Sequence, residues 1–124
     1  MKVFLTGDRS MAPELGVVYA AGAVAQMMAE AALSGEPLEL STGDNDGFEA
    51  GVRAALGTIN APVHVVATGV DSETSKPAWD TRHEVVDSFA DKVVIFHSSP
   101  LESSIAKSAM KVLGDKVILA GHES

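Results

Sequence analysis

Strand-like and helix-like segments alternate along the whole of this chain, and that alternation leaves few ways to fold it. Apolar or β-branched runs stand at 2–6, 38–41, 63–67, 92–96 and 116–120, separated by helical patterns at 14–33, 48–56, 80–89 and 101–113. The punctuation agrees. Pro13-Glu14 opens the first helix and Ser34-Gly35 closes it. Asp46 with Glu49 three residues on has the spacing of a capping box, Gly57 and Asn60 end that helix, and Asp80 stands where a third helix needs a cap. Residues 68–77 are polar and aperiodic, which predicts the longest loop. Right-handed crossovers between such strands predict a doubly wound, mostly parallel, five-stranded Rossmann-like α/β sheet. At 124 residues, one domain over 1–124 is expected.

Nine Lys and Arg against 17 Asp and Glu give a formal charge of −8, which repels nucleic acid and anionic membrane over most of the surface. There is no cysteine, so disulfides and thiolate metal sites are excluded and a reducing, cytoplasmic setting fits. Met1 to Thr6 turns polar too soon for a signal peptide and reads as a strand.

Residues 15–33 are long enough to span a bilayer, but they are built mainly of Ala and Gly and carry Glu30 without a flanking basic cluster, which argues against insertion. On a helical wheel Tyr19, Gln26 and Glu30 share one narrow stripe and apolar residues cover nearly all the rest. A sheet buries only about half of a helix, so the remainder predicts self-association into a homo-oligomer through 15–33.

A sheet of this kind opens its ligand crevice at the carboxyl edge, where crossovers leave in opposite directions, here between the first and fourth strands. Gly7, Asp8, Arg9 and Ser10 follow strand one, Gly43 to Gly47 follow strand two, and His97, Ser98 and Ser99 follow strand four. Arg9 and Arg82 can fork onto phosphate or carboxylate, or pair with an acid such as Asp8 or Glu84. Ser98 and Ser99 suit either an anion or a helix cap. Asp44 and Asp46 suit ribose hydroxyls or a magnesium ion carried by a nucleotide. Trp79, the single tryptophan, suits a stacking platform. His64, His83, His97 and His122 lack the spacing of a metal motif.

Val3-Phe4-Leu5-Thr6-Gly7-Asp8-Arg9, then Gly43-Asp44-Asn45-Asp46-Gly47-Phe48-Glu49, then Trp79 followed by Arg82-His83-Glu84-Val85-Val86 resemble the motifs of the SLOG superfamily. This is the Rossmann-like group that contains DprA and the Lonely Guy proteins, and the likeness is greatest to small stand-alone members related to YspA. Arg9 takes the place of the family arginine, Asp44 that of a turn glycine and Glu49 that of the family acid. The resemblance implies binding or sensing of a nucleotide or nucleotide-derived ligand through Gly7, Asp8, Arg9, Gly43, Asp44, Gly47, Glu49, Trp79, Arg82, His83, His97, Ser98 and Ser99. The glycine-rich, glutamate-bearing turn of the phosphoribohydrolases is replaced by His97-Ser98-Ser99-Pro100-Leu101-Glu102-Ser103-Ser104-Ile105, which argues for binding without hydrolysis. Two rival expectations stand beside it. The run Asp46 to Gly51 also resembles the acidic turn of nucleoside 2-deoxyribosyltransferases, which would make Glu49 a nucleophile in a transferase or N-glycosidase-like enzyme. Alternatively the first helix is the working surface of an interaction protein and the pocket is vestigial.

Overall fold

The computed structural model describes residues 1–7, 12–58, 63–96 and 103–120. Five strands form one sheet in the order β3-β2-β1-β4-β5: β1 Lys2–Gly7, β2 Glu39–Gly43, β3 Val63–Val66, β4 Lys92–Phe96 and β5 Val117–Ala120. Every neighbouring pair is parallel, with Val3 opposite Leu40 on one side and Lys92 on the other. The order reverses between β1 and β4, where the crevice was expected.

The helices are α1 Pro13–Ser34, α2 Phe48–Thr58, α3 Trp79–Asp87 and α4 Ser104–Leu113. Strand alternation divides the core between two faces. Val3 and Leu5 point to the α1/α2 face, where they pack with Phe48, Val52, Leu56, Val94 and Phe96. The rings of Phe48 and Phe96 stack there with centroids 4.8 Å apart. Phe4 points the other way, into a cluster with Val86, Val93, Ile95, Ala106, Ala109 and Leu113 under α3 and α4. The helices α1 and α2 touch through Gly16 and Gly51, since a methyl group at Gly51 would overlap the Pro13 carbonyl.

Several local expectations need correction. The N-cap of α2 is Gly47, not Asp46: its carbonyl takes the first helical bond from Gly51 N at 3.1 Å, and its φ of +73° is one an L side chain resists. Glu49 is therefore in the first turn, and its carboxylate reaches back to Asn45 N. The residue before α3 is Ala78, with no side-chain cap, because Asp80 turns instead to α4. The N-cap of α4 is Ser103, whose Oγ accepts from Ala106 N at 3.2 Å, so the described helix starts at Ser104, while the start expected at Leu101 lies outside the described residues. The aperiodic stretch folds back on itself: Val70 bridges Pro77, and Ala78 N bonds Gly69 O.

On α1, Val18, Met28 and Leu33 are 65%, 57% and 90% exposed. Among the described residues no helix is long and apolar enough to cross a membrane.

Candidate site at the carboxyl edge of the sheet

The carboxyl ends of β1, β2 and β3 meet at a buried ion pair. Glu49 projects from the first turn of α2 and Arg82 from α3, and neither side chain has any exposure. Arg82 Nη1 donates to Glu49 Oε2 at 2.9 Å and Oε1 at 3.1 Å. Thr6, the last side chain of β1 before Gly7, donates from Oγ1 to Glu49 Oε2 at 2.6 Å and accepts from Arg82 Nη2 at 3.1 Å. Asn45 N supplies the fourth bond to the carboxylate and Thr68 Oγ1 takes a further one from Nη1 at 3.2 Å. The guanidinium carbon lies 4.8 Å from the Trp79 ring centroid and 5.3 Å from that of Phe4. Burial lowers the Arg82 pKa, and the Glu49 charge opposes that shift.

The polar chain continues outward. Arg82 Nη2 lies 3.2 Å from His83 Nε2, His83 Nδ1 lies 2.9 Å from Ser108 Oγ, Ser108 donates to Asp80 Oδ1 at 2.5 Å, and Lys111 donates to Asp80 Oδ2. Its direction follows from the groups. A guanidinium has no acceptor, so His83 must accept at Nε2 and carry its proton on Nδ1. Ser108 then accepts from His83 and donates to Asp80. The same environment holds His83 neutral: burial first, and the adjacent Arg82 charge second, lower its pKa to about 3. Lys111 and Ser108 hold the Asp80 carboxyl below the usual carboxylate range.

This geometry revises the roles expected of several residues. Arg82 pairs with Glu49 and, among the described residues, not with Glu84, and its four Nη protons are engaged inside the protein. Its Nε is buried without a partner. Gly43 gives room to the ion pair, because a methyl group there would overlap Glu49 Oε1 and stand 2.5 Å from Arg82 Nη1. Gly7 gives room to the Phe96 backbone and the Phe48 ring. Asp44 is exposed and its Oδ1 takes Thr68 N at 3.0 Å, tying the end of β2 to the exit of β3. Asp46 is also exposed. Among the described residues no three His, Cys, Asp or Glu side chains gather to hold a metal ion. His64 stands apart from this edge and packs edge-on against Phe89. Asp8, Arg9, His97, Ser98 and Ser99 lie outside the described residues.

Five participants escaped the sequence reading: Thr6, Thr68, Ser108, Lys111 and Arg53, the last of which donates to Gly43 O at 2.5 Å. A signal existed for Ser108, a hydroxyl on the face of α4 that otherwise carries Ile105, Ala109 and Leu113. Comparison with protein-family models gives no match, and comparison with curated proteins gives none either. The fold and this edge define the class, an all-parallel Rossmann-like α/β protein.

Glu49→Gln strands the buried guanidinium and is expected to cost about 3–5 kcal/mol in chemical denaturation, whereas Glu49→Leu with Arg82→Met recovers much of the loss. A pH series supplies a second check. Unfolded His83 protonates near the ordinary histidine value of 6.5 while the folded residue resists to about 3. Its contribution is therefore complete above 6.5 and falls by up to about 1.4 kcal/mol for each pH unit below that. Denaturation midpoints between pH 7 and 5 should drop accordingly, and His83→Gln should flatten the slope.

Proposed function

We propose that this chain binds a nucleotide or nucleotide-derived ligand at the carboxyl edge of its sheet and does not turn it over. The observation that carries the reading is the burial of Glu49, whose carboxylate accepts from Thr6, Asn45 N and twice from Arg82. A nucleophile or general base needs a carboxylate that reaches substrate. Glu49 is fully buried and spends its carboxylate on those four contacts, which supports a framework role for the acid that would drive transferase or glycosidase chemistry. Around that framework the edge keeps the features of a binding cradle: the ends of β1 and β2, the exposed Asp44, and a switch point between β1 and β4. In chain order Arg9 follows β1 and Ser98 and Ser99 follow β4, and these supply the cation and hydroxyls a phosphate requires. The motif resemblance to the SLOG superfamily supports the same ligand class, and the cysteine-free composition supports a cytoplasmic setting.

Calorimetry with mono-, di- and cyclic nucleotides tests the reading. Saturable heat at millimolar concentration or below is expected, with no free base released from nucleosides or nucleotides. Silence across the panel hands the function to the interaction surface, and base release reinstates the enzyme.

That surface has its own support in Val18, Met28 and Leu33, large apolar side chains facing solvent along α1. We propose that α1 joins copies of the chain into a homo-oligomer. Light scattering should report a dimer or larger species that Met28→Lys shifts toward monomer, and a clean monomer at high concentration would refute it.

A further inference from the structure

Beyond the carboxyl edge, a cleft of about 460 Å³ opens on the opposite flank of the α3 start, between the residue 71–78 turn, the first turn of α3 and the outer side of α4. That volume suits a small organic ligand. Trp79 borders it, and its ring is already anchored by Arg82 and by His83, whose ring lies within 17° of parallel at 6.5 Å. An indole fixed in this way needs little ordering when another ring stacks on it.

The charges around the cleft are unevenly spent. Asp80 is occupied by Lys111 and Ser108. Lys107, exposed on α4, has no ion-pair partner among the described residues. Asp71, on the turn across from it, spends Oδ1 on Glu73 N and keeps its charge in the cleft. The residual field therefore attracts an anion at the α4 wall and repels one at the turn.

We infer that this cleft is a binding site for a small ligand with a flat ring and one compact anionic group, the ring on Trp79 and the anion at Lys107. The site uses none of the segments following β1, β2 or β4 and shares with the nucleotide reading only Trp79, so Lys107 and Asp71 are the residues that tell the two apart. A carboxylate and a phosphate share the required chemistry, and the probes separate them.

Because the chain has one tryptophan, its fluorescence reports this site directly. Benzoate and phenyl phosphate are titrated with excitation at the red edge of indole absorption, with benzylamine as the charge-reversed control. Saturable quenching by either anion, about fivefold weaker in Lys107→Gln and tighter in Asp71→Asn, is expected from the loss of one exposed charge contact or repulsion. Whichever anion saturates at lower concentration identifies the preferred group. No saturation by either anion below about 10 mM overturns the proposal, because one stacked ring and one ion contact should bind at least that tightly. Equal quenching by benzylamine, or curves that Lys107→Gln leaves unchanged, overturns it as well. Nucleotide heats that persist in Lys107→Gln keep the carboxyl-edge reading separate from this one.

Discussion

A charged pair without water around it governs the upper half of this molecule. Removing Glu49 and Arg82 from solvent is costly, and their mutual attraction offsets the cost only because nearly every remaining lone pair and proton finds a partner. Those partners come from different parts of the chain. Thr6 belongs to β1, Asn45 to the turn after β2, Thr68 to the exit of β3 and His83 to α3. The interaction therefore fixes the relative positions of three strand ends and two helices, one from each face of the sheet. The rest of the edge depends on that registration: the close approach at Gly43, the angle of α2 leaving Gly47, and the attitude of the Trp79 ring.

The architecture was legible because it rests on local pattern. Runs such as Val63-His64-Val65-Val66 and Lys92-Val93-Val94-Ile95-Phe96 carry β-branched residues between turn signals, and Gly35 with φ +76° ends α1 where the sequence says it should. The edge at which Arg82 lies was legible for the same reason, since strand polarity and crossover handedness decide it. The partners were not. Glu49 and Arg82 are 33 residues apart, and nothing in either neighbourhood distinguishes an arginine that meets a ligand from one that meets an acid. Asp46 and Asp80 misled for a related reason: each has the right residue type near a helix start. Gly47 takes the cap of α2, and Ser108 and Lys111 compete successfully for Asp80.

Glycine carried a double meaning that only packing could resolve. In the sequence Gly7 and Gly43 suit a backbone that comes close to a ligand. In the fold their missing side chains are filled from within, by Phe48 and Phe96 at one and by the ion pair at the other. The same residue type thus serves the density of the interior, and among the described residues of the edge it is Asp44 and Asp46 that face solvent.

The adjacency of Arg82 and His83 has a consequence for how such a chain can diverge. Neighbouring residues on a helix point about 100° apart, and here one meets the strand ends while the other meets α4, so the helix is gripped from two directions at a single turn. Inserting or deleting one residue within α3 would rotate one grip out of place and break the other. Drift in length is therefore confined to the outlying turns, such as the self-bonded one at 69–78, and α3 becomes the fixed ruler against which lineages of this fold would have to be aligned.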